Sequence, residues 1–222
     1  ETLAAGSLLR VHYLYRVGKV AADSDAGWYA VVNGQKNLGL VETFEYFPDR
    51  EYPDGASVES WNDGPGTISR GPYDQTLADD PHKTPYFLES EVLSPYATLE
   101  PRESYDFTVY WAPTRIPPLL PSALQAPTSA GAVSQPLSGN VQGGQVNLRG
   151  VFGVFTPGTL EAVFYSALGE ELARQTLESV DPREVVRLDK SVPLPAHAFR
   201  VSVRVMDADG ENRGYLGNMI LR

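Results

Sequence analysis

The segment Ala56–Gly66, A-S-V-E-S-W-N-D-G-P-G, places a carboxylate two residues before an indole and then runs into turn residues. Read as a strand entering a turn, its period of two puts Glu59 and Trp61 on one sheet face, with Val58 and Ser60 on the other. An aromatic ring covers the apolar face of a pyranose while a carboxylate accepts hydrogen bonds from its hydroxyls, so the pair points to carbohydrate. An indole beside a charged residue is also what an ordinary, partly exposed strand carries. A second pair, Glu89 and Glu91 in Y-F-L-E-S-E-V-L, shares a strand face with Phe87 and Leu93. Carboxylates so placed lie roughly 5 to 9 Å apart, the range used by paired acids on glycosides. The stronger reading is a solvated face, because alternating Glu is routine on antiparallel sheets and a catalytic pair normally comes from separate elements.

Other chemistry is thinly supplied. Asp23 and Asp25 in D-S-D-A-G, and Asp207 and Asp209 in D-A-D-G-E-N, resemble incomplete calcium loops. The first lacks a later bidentate Glu, and the second sets Asp209-Gly210 where a hairpin turn wants it, so both read as turns. Calcium is the one cofactor candidate, as a loop staple; otherwise no cofactor or metal site is expected. The sequence has no G-x-S-x-G elbow, H-E-x-x-H, P-loop or dinucleotide fingerprint. With His12, His82 and His197 scattered and no Cys, nucleophile and base pairs are scarce, which favours binding over catalysis. Trp111 shares a strand face with Tyr105, Phe107 and Val109 and is expected in a core; Trp28 follows an Asp-rich turn.

The elements that must position these groups are strands. Leu8–Val17 and Phe199–Val205 alternate apolar and polar residues with period two. Further candidates are Trp28–Asn33, Leu38–Tyr46, Ala56–Trp61, Pro85–Leu93, Ser104–Trp111, Gln145–Phe152, Leu160–Ser166, Glu184–Val192 and Gly214–Leu221, parted by Gly, Pro, Asn and Asp clusters. Only Glu170–Ser179 reads equally as helix or as strand and turn. Asp63–Lys83 is expected as a long loop of the kind that carries function or covers a face. The uncharged, Pro-, Ser- and Ala-rich stretch from Ile116 to about Asn140 reads as an extended linker. The expected order is therefore a β domain over 1–117, a linker over 118–140 and a small immunoglobulin- or fibronectin-like sandwich over 141–222.

At 222 residues the chain can bury one large core or two small ones. Its net charge of −10 argues against nucleic acid and anionic lipid, both of which select for Lys and Arg. No apolar run approaches the roughly 18 to 20 residues of a membrane-spanning helix. The start Glu1-Thr2-Leu3 is neither a Met nor a signal peptide, so a processed product or excised fragment is expected. The absence of Cys removes disulfides and thiolate sites. Together with many Tyr, Thr, Asn and Gly, it fits an exported bacterial protein, whether secreted, periplasmic or in the cell envelope.

From Val17 to Arg115 the sequence resembles galactose-mutarotase-like supersandwich proteins, in particular a poorly characterised exported bacterial group. The resemblance is carried by V-G-K-V-A-A-D-S-D-A-G-W (Val17–Trp28), E-Y-P-D-G-A-S-V-E-S-W (Glu51–Trp61) and L-E-S-E-V-L-S-P-Y-A-T-L-E-P-R-E-S-Y (Leu88–Tyr105). In such proteins a strand ending in Ser-Pro leads through Leu-x-Pro-Gly-Glu into the next strand; here Arg102 stands where Gly is usual, which bears on the turn geometry. The resemblance implies an antiparallel sandwich with a concave carbohydrate-facing sheet, of which this chain would be the C-terminal part. It also implies a His acid and a Glu base, yet His12, in V-H-Y-L-Y, does not match the family's His motif. Fold by itself does not transfer activity.

The sequence therefore predicts an all-β chain, a partial supersandwich-like sandwich followed by an immunoglobulin-like one. Its expected function is non-catalytic carbohydrate binding in or near the cell envelope, through Glu59, Trp61, Glu89 and Glu91, with a protein partner as candidate for the second domain. Two alternatives stand beside it: the C-terminal part of a sugar epimerase or polysaccharide-processing enzyme, and a structural assembly subunit.

Overall fold

The computed structural model describes residues 2–5, 8–80, 82–83, 86–118 and 124–221. The chain is all-β: strands make up 56% of it, its sheets are antiparallel in every ladder described below, and the described residues contain no α-helix. Eighteen strands follow in order: β1 (Thr2–Ala5), β2 (Leu8–Val11), β3 (Gly18–Ala22), β4 (Trp28–Asn33), β5 (Leu38–Phe44), β6 (Val58–Asn62), β7 (Gly66–Arg70), β8 (Tyr73–Leu77), β9 (Leu88–Val92) and β10 (Val109–Arg115). They continue with β11 (Ala126–Pro127), β12 (Gly131–Gln142), β13 (Gln145–Val154), β14 (Gly158–Tyr165), β15 (Glu171–Val180), β16 (Val185–Pro193), β17 (Arg200–Met206) and β18 (Asn212–Ile220). Among the described residues one 3₁₀ turn, Pro53–Gly55, precedes β6.

Two compact units divide the chain. The first comprises Glu1–Ala30 and Glu42–Tyr110, the second Val31–Val41 and Trp111–Arg222. A further sheet is ordered β10-β5-β4.

The first unit contains the hairpins β1-β2 and β7-β8 and the sheet β3-β6-β9. In that sheet Lys19 faces Trp61 and Ala21 faces Glu59 across one ladder, while Glu91 faces Glu59 and Glu89 faces Trp61 across the other. The expected loop Asp63–Lys83 is corrected here. It holds the β7-β8 hairpin, closed by the two-residue turn Gly71-Pro72 with Gly71 at φ +65°, a turn that only needs glycine in first position. The strand expected over Leu8–Val17 ends at Val11, and the chain beyond it turns away, with Tyr15 at φ +53°.

The second unit is a sandwich. Sheets ordered β11-β12-β13-β16 and β15-β14-β17-β18 share one apolar core, built from alternate residues such as Leu148 and Phe152 of β13, Leu160 and Phe164 of β14, and Val201, Val203 and Val205 of β17. The ambiguous Glu170–Ser179 resolves as strand β15. The expected linker over 118–140 is a further correction: residues 119–123 lie outside the described ones, but Gly131–Gln142 form β12, paired along its length with β13. Ala132, Val133 and Leu137 of that stretch are core residues despite the linker-like composition. Pro136 is tolerated because the ladder shifts register between Gln135 and Ser138, so its missing N–H falls at a bulge.

Trp111 is likewise corrected, being 69% exposed. The buried parity of β10 and the residue beyond it is fixed by Thr114, whose hydroxyl donates to the Val154 carbonyl at 2.8 Å, and by Ile116. Trp111 falls on the opposite parity, and with Tyr110 beside it 70% exposed, both faces of β10 are open at this point.

Candidate functional site

The candidate site is one face of the sheet β3-β6-β9, in the first unit. Strand alternation puts Lys19 on it from β3, Glu59 and Trp61 from β6, and Glu89 and Glu91 from β9. All four residues singled out in the sequence are thus brought together, two by two, across a single ladder. The sequence did not reveal that β6 and β9 are neighbours, nor that Lys19 joins them, because pairing over such separations leaves no local pattern.

Glu59 is 4% exposed and both its oxygens are used. Oε1 lies 2.6 Å from the Lys19 ammonium, and Oε2 accepts the Trp61 indole N–H at 3.0 Å. Lys19 also binds Asp54 of the 3₁₀ turn at 2.7 Å and sits 4.8 Å from the centre of the Trp61 ring, a cation–π distance. The two carboxylates, Asp54 first and then Glu59, hold the ammonium pKa above the ordinary lysine value. Glu59 is thereby an organising group rather than an exposed one. Trp61 is locked at its N–H and along one ring face, yet remains 40% exposed.

Glu89 is exposed beside the indole, while Glu91 is half-buried opposite Glu59. Burial, then the charges of Glu89 and Glu59, push the Glu91 carboxyl above the usual carboxylate range, partly countered by the indole N–H and Lys19. Like charges directly opposite in a ladder are destabilising, so this face carries negative charge that its single ammonium does not balance.

The reverse face of the sheet sets a polar cluster among apolar residues such as Val58 and Val92. Ser90 donates to Glu42 Oε1 at 2.8 Å, and Asn62 Nδ2 points at Ser60. Glu42 is 2% exposed, and burial raises its carboxyl pKa against the smaller lowering by Ser90. Asn62 Oδ1 is a buried acceptor without a hydrogen-bond partner among the described residues.

The three histidines do not join this face. His12 and His82 are exposed, and His197 belongs to the second unit with φ +65°. Among the described residues, none of them forms a hydrogen bond or ion pair with Glu59, Glu89 or Glu91. The Asp motifs are turns. Asp207 Oδ1 accepts the N–H groups of Asp209 and Glu211, and Oδ2 takes Arg213, which spends the carboxylate inside the β17-β18 hairpin. Asp23 accepts the Tyr46 hydroxyl at 3.1 Å, before Gly27 at φ +67°. Among the described residues no group of three or more His, Asp or Glu side chains is arranged to hold a metal ion, and no helix is long and apolar enough to cross a membrane.

Compared with protein-family models and with curated proteins, the chain matches none.

Proposed function

We propose that the first unit binds carbohydrate non-catalytically through Trp61, and that the protein works outside the cell or in its envelope. The observation that carries this reading is an indole fixed by Glu59 and Lys19 yet open over much of its surface. A pre-fixed aromatic ring loses little freedom on stacking against a sugar, and Glu89 beside it accepts hydroxyl hydrogen bonds. The ligand is neutral or amino-bearing. The first unit holds eighteen of the chain's 28 acidic residues but only seven of its 18 basic ones, so it carries −11 while the second unit carries +1, and its charge repels anionic glycans.

The galactose-mutarotase-like reading is supported by one turn. Glu103 N–H donates to the Glu100 carbonyl at 2.9 Å around Pro101-Arg102, and Arg102 takes φ +80°, the conformation glycine adopts in a type II turn. The immunoglobulin- or fibronectin-like reading of the second unit draws on its two antiparallel sheets over one core, and gives it a spacer or protein-docking role.

Thermal shift against a panel of neutral and amino sugars tests the binding reading. Wild type should be stabilised by at least one member and Trp61→Ala by none; a panel that shifts neither sinks it. One observation favours a second reading, sugar processing: Glu91, with its raised carboxyl pKa, sits against Glu59 as a general acid would. Under it, Glu91→Gln would abolish turnover of a bound glycan while leaving binding intact.

A further inference from the structure

Past β2 the chain reads H-Y-L-Y-R-V and leaves the ladder, and its two tyrosines meet a third from a distant segment. The rings of Tyr13 and Tyr15 lie 4.7 Å apart, tilted by 39°, and Tyr86 meets Tyr15 edge-on at 6.3 Å. Tyr13 donates its hydroxyl to the Asp63 carbonyl at 3.0 Å, and Tyr86 donates to the carbonyl of Ala78. Two rings are therefore pinned at the hydroxyl end by backbone.

Tyr15 differs. It is 59% exposed, and among the described residues its hydroxyl makes no hydrogen bond. Its φ of +53° is a strained conformation for a bulky side chain. The strain is enforced by its surroundings: a Cβ on Gly64 would lie 2.1 Å from the Tyr15 carbonyl oxygen, so only glycine lets the two backbones approach. Backbone strain at a residue whose ring is largely exposed is one of the places where function, rather than packing, holds a conformation.

The cluster is anchored just past the end of the Trp61 strand. Asp63, which anchors Tyr13, follows Trp61 by two residues, about 7 Å along the strand direction. Tyrosine offers a flat apolar surface and a hydroxyl at small entropic cost, which suits a pyranose better than a purely apolar or an anionic partner on this acidic unit.

We propose that Tyr13, Tyr15 and Tyr86 form a second sugar-stacking subsite next to Trp61, so that the ligand is an oligosaccharide long enough to touch both. The proposal rests on the carbohydrate reading above, and the two are separated by calorimetric titration of the full chain with cello-, xylo-, malto- and chito-oligosaccharides of two to six units. In the series that binds, affinity should rise with length. Tyr15→Asn, which tolerates the left-handed backbone, should weaken the hexamer about tenfold and leave the dimer unchanged, Tyr15→Phe should behave as wild type, and Trp61→Ala should lose both lengths. Tyr15→Gly should melt no lower than wild type yet show the same loss, which separates binding from folding. Equal hexamer affinity in wild type and Tyr15→Asn, with Trp61→Ala still impaired, overturns the second subsite and leaves the Trp61 reading standing. Loss only in the tyrosine variants removes Trp61 instead and keeps the tyrosine subsite. No binding of any series by wild type overturns both.

Discussion

The two units treat charge in opposite ways. In the second, carboxylates are matched to donors: Arg183 holds Asp181 down to about 2, Arg174 lowers Glu171, and backbone N–H groups with Arg213 lower Asp207. In the first, Glu42 and Glu91 are held above the ordinary range, chiefly by burial. Backbone strain divides similarly. Asn, Asp and His adopt positive φ with some ease, so the two outliers by residue type are Tyr15 and Arg102, both in the first unit. A unit that satisfies its groups is organised for stability; one that retains uncompensated charge and strain around exposed aromatic rings is organised for contact.

The largest test concerns packing. Phe152 is fully buried in the second unit's core, and Phe152→Ala should cost about 3–5 kcal/mol in urea denaturation. In the first unit the buried apolar side chains are fewer, and Val58→Ala should cost about 1–2 kcal/mol. Equal losses would break the contrast. Next is the ion pair of Arg204 with Glu161, a two-nitrogen grip on one carboxylate oxygen at 2.8 and 2.6 Å, with Arg204 nearly buried. Arg204→Ala should destabilise by about 2–3 kcal/mol, since it leaves Glu161 without its partner, while the joint replacement Arg204→Met with Glu161→Leu should recover most of the loss.

Glu42 reverses that sign. Its folded pKa lies above its unfolded one, so the folded state binds the extra proton, and stability is greatest below the unfolded value near 4.5 and falls as pH rises through the raised folded value. Glu42→Gln should therefore be more stable than wild type at pH 7, and the two should converge below pH 4.5 in thermal melts. Asp181 supplies the mirror image. Its stabilisation is present above 3.8 and lost as pH falls towards about 2, so Asp181→Asn should differ from wild type at pH 7 and match it at the acid limit. The same pH trend for both variants would dissolve the distinction between the units.

What the sequence disclosed follows the range of the interactions. The period of two made β13, β14, β16 and β17 readable, and it set Glu59 and Trp61 on one face before any partner strand was known. β12 was hidden because Pro, Ser and Gly at its exposed and bulged positions outweighed its few core residues in composition. Lys19 was invisible as a site residue because its role comes from the β3-β6 ladder, which joins segments about forty residues apart. Tyr15 left no trace at all. Its left-handed backbone depends on the distant Gly64, and no residue type around it signals positive φ.

Arg102 gives the smallest and most direct test of strain. It occupies the third position of the turn Glu100–Glu103, where φ +80° crowds a Cβ against the backbone and glycine has no such conflict. Glycine also loses more conformational freedom on folding, which offsets part of the relief. The balance favours Arg102→Gly by about 0.5–1 kcal/mol, read as a raised melting temperature, with sugar binding unchanged because Arg102 lies outside the candidate face. Tyr15→Gly should gain similarly in stability but lose affinity for long glycans. If both substitutions stabilise and both leave binding untouched, strain in the first unit serves no contact. If only Tyr15→Gly impairs binding, the strain at Arg102 belongs to a turn and the strain at Tyr15 to a ligand.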